Sequence, residues 1–278
     1  MKNKNDDAKD DLSKEHYIIS LDNKESKNSF SEDGMVIMNN WMDAAKGDFS
    51  DVAGFYLPGD LYPGRRMKMD FRNVGSKVGF LPRQTAQSIP FSSDNIPKIL
   101  DLFSIKAGSE EAKTIADVID LCEVPKMEGE EKFCPQSLES MIDFAVTRFG
   151  QIGRVLSSQP GKKQEYIVLK APQRIGDRAL VCHKNVYPYA LYYCHEMKGT
   201  KAYTVPLLGA DGTRIKVVTI CHEETSAWNP KELAFQILKA KPGMTICHFL
   251  ASDTLVWVPP KDPGHEFVPH LSKPVMDQ

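Results

Sequence analysis

The stretch Leu180 to Met197, LVCHKNVYPYALYYCHEM, places two Cys-His dipeptides ten residues apart, and the pair recurs at Cys221-His222 and Cys247-His248. Each dipeptide lies in a short segment rich in β-branched and aromatic residues, which reads as a strand. Neighbouring side chains on a strand point to opposite faces. Cys182, Cys194, Cys221 and Cys247 can therefore share one side while His183, His195, His222 and His248 share the other. Adjacent strands would then gather the four imidazoles.

The segments around these strands continue the pattern. EYIVLKA, RALVCHK, ALYYCHE, AYTVPLL, IKVVTICH and MTICHFLA are all bounded by Gly, Pro, Asp or Asn, with GADGTR as a hairpin turn between the fourth and fifth. Three helices are signalled. One runs from Pro135 to Phe149, with apolar residues on one stripe and Gly150 to end it; a second spans about residues 109–121. A third starts at Asn229-Pro230 and stops before Gly243. Residues 87–98 read as a turn-rich separator. The fold class is α+β, a mostly antiparallel sheet core with about three helices behind a flexible leader. Trp257 is expected to fill the core from a late strand, and Trp228 to pack ahead of the third helix.

The 278 residues are 41% hydrophobic, enough for one substantial core. With 35 basic and 37 acidic residues, the formal charge of -2 supplies no field for nucleic acid or anionic lipid. No apolar run approaches the roughly 20 residues of a membrane span. Residues 1–33 are too polar to offset the entropy of ordering and read as a leader; 34–53 form a docking or substrate segment containing Trp41; 54–260 form the domain; 261–278 form a tail. The N-terminus is too charged for a signal peptide, and the expectation is that a targeting segment has been removed.

All six cysteines lie between residues 122 and 247 with no Cys-x-x-Cys, which favours an oxidising compartment. Cys122 and Cys134 flank two helices and suit a disulfide closing a small loop, worth about 3 kcal/mol in a chain-entropy model. Pairing among the other four is left open. Structural zinc uses ligands on one short loop, which is not the spacing here, whereas an imidazole-only set suits copper. No phosphate-binding glycine loop, serine elbow or His-Glu-x-x-His motif is present.

The spacing of the Cys-His pairs, with gaps of 10, 25 and 24, resembles the plant BURP-domain proteins. The similarity extends through GFYLPGDLYPGRRMKMDF, EGEEKFCPQSLESMIDFA, DGTRIKVVTICHEETSAWNP and KPGMTICHFLASDTLVWVP, from about Gly54 to Pro260. The resemblance implies one of two functions. Some members are copper-dependent autocatalytic peptide cyclases that use O2 to join a Trp or Tyr side chain of their own chain to a carbon, making macrocyclic plant peptides. Carried over, His183, His195, His222 and His248 would be the Cu2+ ligands and the catalytic set. The substrate residue would be Trp41 in VIMNNWMD, with Tyr56 and Tyr62 as weaker candidates. Tyr62 stands where the family usually has histidine. Other members resemble non-catalytic seed, stress or cell-wall proteins, in which the pairs would bind metal or be purely structural, with a polysaccharide or protein partner. Either way the implied location is the secretory pathway, in the apoplast or vacuole.

Overall fold

In the computed structural model the described residues are 54–73, 77–151 and 153–260. The leader, the segment with Trp41 and the tail after Pro260 lie outside them, as do His16, His265 and His270. The described chain forms two antiparallel sheets. In the first, β1 (Phe55–Tyr56), β11 (Ile246–Phe249), β10 (Arg214–His222), β9 (Thr200–Gly209), β5 (Lys163–Val168) and β2 (Arg66–Asp70) lie in that order, with β6 (Gln173–Gly176) also paired to β9. The second sheet runs β3 (Glu130–Phe133), β8 (Tyr192–Met197), β7 (Leu180–Lys184), β12 (Leu255–Val258) and β4 (Arg154–Leu156). All six strands read from the sequence are present, and GADGTR is the β9–β10 turn. There Gly212 sits at φ 83°, a backbone region that costs glycine little.

Alternation along the strands builds three layers of core. Ala202, Val218 and Ile220 of the larger sheet meet Val181, Val256 and Val258 of the smaller one, so these two faces oppose each other. The far face of the smaller sheet, with Leu180, Tyr192 and Trp257, is covered by Met141 and Ala145 of α4 (Leu138–Phe149). The far face of the larger sheet curls on itself: Tyr56 of β1 and Met67 of β2, from opposite ends of the strand order, join one cluster, and Phe71 packs on Phe249 at 5.9 Å. Burial of such side chains contributes about 1.5–3 kcal/mol each.

The two longer helices carry the terminal signals that make them legible. In α3 (Glu110–Glu123) the Ser109 hydroxyl accepts the N–H of Ala112. In α4 the hydroxyls of Ser137 and Ser140 reciprocally cap the first turn, and Gly150 closes the helix in the left-handed region at φ 74°. Pro135 lies before that cap rather than inside the helix. The third predicted helix is shorter than expected: residues 229–232 form a turn and α5 is Leu233–Leu238. Two short helices were not expected. α1 (Arg83–Ser88) and α2 (Ile96–Leu102) overlap only the two ends of the turn-rich separator at 87–98, whose middle holds a 3-10 turn at Ser93–Asn95, and α2 is held in place by burial of Ile99 and Leu100 against α3 and the Tyr187–Leu191 loop.

Candidate metal centre

Ladder register explains how adjacent cysteine and histidine separate. Cys182 stands directly opposite Cys194 on β7 and β8, and Cys221 directly opposite Cys247 on β10 and β11. Both pairs are disulfides, and the third is Cys122–Cys134, as the sequence suggests. In each antiparallel pair the histidine one residue on must turn to the other face and lie diagonally from its partner. His183 accordingly faces Tyr193 and His195 faces Val181, while His222 faces Ile246 and His248 faces Ile220. Their ring centroids are 5.4 Å apart for His183 and His195 and 5.6 Å apart for His222 and His248.

These are the two faces that oppose each other, so both pairs point into the layer between the sheets. Their proximity is felt electrostatically. Burial, then the neighbouring His195 and His248, hold His183 well below the usual imidazole range. His222 is lowered in the same way, by burial and then by the other three histidines. Burial brings His248 down to about 4, partly opposed by its bond to a backbone carbonyl. Three imidazoles are thus neutral at pH 7, with lone pairs available.

Hydrogen bonds orient three of the rings through Nδ1. His248 Nδ1 lies 3.2 Å from the carbonyl oxygen of Phe249, an acceptor only, so Nδ1 carries the proton and Nε2 keeps its lone pair. His195 Nδ1 lies 3.2 Å from Oε1 of Glu130, which also accepts the Tyr193 hydroxyl at 2.7 Å, while Oε2 accepts the N–H of Met127. Burial alone would raise the Glu130 carboxyl. The bonds from His195, Tyr193 and Met127 outweigh it and bring the pKa to about 2, so this partner is an anion. His222 Nδ1 is 2.9 Å from Oγ1 of Thr200, its ladder neighbour. Outer partners of this kind fix tautomer and ring orientation in metal sites.

Aromatic rings flank both pairs. Trp228 lies 5.1 Å from His222, with a buried Nε1 that has no hydrogen-bond partner among the described residues, and Phe55 lies 5.7 Å from His248. Tyr193 lies 5.1 Å from His195. Trp228 does pack ahead of α5, at 6.0 Å from Phe235, but its place beside a site histidine was missed, as were Glu130, Thr200 and Tyr193. For Glu130 a signal existed in EGEEKF, where alternation puts one acidic residue inward. The other suggested substrate residues lie elsewhere. Tyr56 pairs with Cys247, on the cysteine face, where its hydroxyl bonds Oγ1 of Thr219 at 2.6 Å; Tyr62 is 52% exposed.

The chemistry of the donors, four imidazoles with Nδ1 committed in three, fits an imidazole-liganded metal such as copper. Their placement is two plus two: among the described residues no group of three His, Cys, Asp or Glu converges on one ion-sized point.

Comparison with known proteins matches residues 54–259 to the BURP domain. The chain belongs to the BURP-domain family. It is 43% identical over 221 residues to BURP domain protein RD22 of Arabidopsis thaliana, covering 76% of this chain and 56% of that protein. It is 41% identical to BURP domain-containing protein 3 of Oryza sativa subsp. japonica, covering 76% of this chain and 51% of that protein. BURP domain-containing protein BNM2A of Brassica napus is 36% identical, with 76% of this chain and 82% of that protein aligned. The chain thus spans little more than half the length of the first two relatives. The BURP domain covers every strand and helix described above, both histidine pairs included.

Proposed function

We propose that this chain is a copper-dependent peptide cyclase of the secretory pathway, in which His183, His195, His222 and His248 hold copper and the substrate is an aromatic residue of its own N-terminal segment, Trp41 first. One observation supports the reading: four histidines, three of them held neutral by burial, lie as two pairs on the facing sides of two sheets with Nδ1 of three tied down. Copper would supply one-electron chemistry with O2, which Zn2+ does not. The protein's own residues orient and shield. Glu130 anchors His195, Thr200 anchors His222, and Trp228 and Phe55 cover the pair on the larger sheet. Joining the aromatic ring to a second carbon removes two hydrogens, whose two protons and two electrons pass to O2. Three disulfides support the compartment assignment, since such bridges persist where conditions are oxidising.

The test is intact and peptide mass spectrometry of metal-free protein before and after Cu(II) in air, with an anaerobic control. The expected outcome is loss of two hydrogens within residues 33–64, dependent on both copper and O2. Bound copper with no mass change would overturn the cyclase assignment. Full copper stoichiometry in both His195→Ala and His222→Ala would overturn the ligand set. The two-plus-two placement of the histidines favours a second reading, a non-catalytic extracellular protein of seed or cell wall whose partner is a polysaccharide or a protein. Copper-free material with no affinity for the ion would support it.

A further inference from the structure

The three disulfides occupy two kinds of environment. Cys182 and Cys194 are fully buried beneath α4, and Cys221 and Cys247 are 9% and 0% exposed within the larger sheet's core. Cys122 and Cys134 are only half-buried, and both line a cavity of about 430 Å³ together with Arg83, Glu123, Lys132 and Phe133. That volume falls within the roughly 300–1,000 Å³ of pockets that hold small organic ligands.

Disulfide exchange requires a thiolate to reach one sulfur along the bond, and is favoured where nearby cations stabilise the departing thiolate. The two buried bridges offer no such approach. At the third, Arg83 and Lys132 line the cavity against a single acid, Glu123. Nζ of Lys132 donates to a neutral partner, the carbonyl of Leu121, at 3.0 Å, whereas Arg83 is paired with Asp143 at 2.7 Å.

The bridge also has a mechanical role. It joins the end of α3 to the residue after β3, clamping the strand that carries Glu130. Among the described residues β3 is an outermost strand with β8 as its one ladder partner. Its other ties include the Glu130 hydrogen bonds, the pairing of Glu131 with Lys126 at 2.8 Å and with Arg148 at 3.8 Å, the Lys132 bond to Leu121 and the Phe133–Phe144 ring contact at 5.3 Å. Edge elements open locally at lower free-energy cost than central ones.

We infer that Cys122–Cys134 is an exchange site for a small peptide thiol, and that its opening loosens β3 and the Glu130 that anchors His195. In the first step a thiolate RS⁻ attacks one cysteine sulfur, an RS–S bond forms, the protein S–S bond breaks, and the departing cysteine thiolate takes a proton from solvent. A second RS⁻ attacks the peptide-thiol sulfur of that mixed disulfide, releasing RSSR and the second cysteine, which is also protonated. Two thiols are oxidised and the protein gains two electrons and two protons. The inference stands apart from copper, because each half is read on metal-free protein.

The experiment places the full metal-free chain in stepped glutathione redox buffers, traps thiols by alkylation, maps them by peptide mass spectrometry, and follows amide hydrogen exchange in parallel. Cys122 and Cys134 are expected to appear as thiols or glutathione adducts at about tenfold lower glutathione than the other four cysteines require. Amides of residues 130–133 should exchange about tenfold faster at that point, with β7 and β10 unchanged. Labelling of the four buried cysteines at the same or lower glutathione would overturn the exchange site. Unchanged exchange at 130–133 once the bridge is open would overturn the coupling to β3. A chain carrying Cys122→Ala with Cys134→Ala should show the faster exchange without any thiol, and normal protection there would overturn the coupling too.

Discussion

The two histidine pairs arise from the same dipeptide in the same ladder geometry, yet they are held differently. On the larger sheet His222 and His248 are 4% and 5% exposed, and their Nδ1 partners, a threonine hydroxyl and a backbone carbonyl, are neutral. On the smaller sheet His183 and His195 are half-buried, and His195 is anchored by a carboxylate that is itself buried. Packing and neutral bonds fix the first pair. The second depends on one anion carried by an edge strand. The repeated motif therefore dictates where the imidazoles point, while the residues around each sheet decide how firmly they stay there.

The largest expected effect concerns acid. His183, His222 and His248 are all pushed below the ordinary value of 6.5, so between that value and their folded values the unfolded chain binds more protons than the folded one. Their contribution to stability is fully present above pH 6.5 and is lost as pH falls. His248 alone, with its folded value about 4, would account for on the order of 3 kcal/mol across that window. Urea unfolding of metal-free protein at pH 7, 6, 5 and 4 checks this; a flat profile would mean the histidines are not held neutral by burial. Glu130 acts lower on the scale, because its depressed carboxyl loses its contribution only as pH drops from 4.5 toward 2.

Next in size are the bridges behind each pair. Replacing Cys221 and Cys247 together by alanine removes a 26-residue cross-link and should cost about 3.5 kcal/mol, and the same change at Cys182 and Cys194, 12 residues apart, about 3 kcal/mol. Denaturant midpoints at constant slope would give the difference. The comparison between sheets breaks if the smaller loop proves much the more costly.

Much of this architecture was legible because the signals were local. Period-two alternation separated cysteine from histidine before any partner strand was known, and α3 and α4 were marked by a long apolar stripe, with Gly150 ending α4. The disulfide Cys122–Cys134 could be read because its half-cystines flank two helices. Long-range facts could not. Four cysteines on strands admit three pairings, and only the ladder register selects Cys182–Cys194 and Cys221–Cys247. Nor does alternation reveal that the four histidines come from two facing sheets rather than one. Short α1 and α2 have weak propensity and prolines at their borders; buried contacts of Ile99 and Leu100 set α2 in place. Glu130 escaped notice since a Glu-rich stretch reads as solvated until its bonds to Tyr193 and His195 are seen.

The two smaller predictions test the contrast between the anchors directly. Glu130→Gln keeps the shape but removes the charge that His195, Tyr193 and Met127 share, and should cost about 2 kcal/mol, the scale of hydrogen bonds to a charged group. Nitrogen-15 spectra of the imidazoles should show His195 losing its fixed tautomer while His222 and His248 keep theirs. Thr200→Val should cost only about 1 kcal/mol, since one neutral bond is lost. The His222 ring would stay in place, wedged between Trp228 at 5.1 Å and His248 at 5.6 Å, and only its tautomer would be released. If Thr200→Val instead proved costlier than Glu130→Gln, or disturbed His248 as well, the larger sheet's pair would be the one that hangs on a single anchor. The assignment of rigidity to that sheet would then have to be reversed.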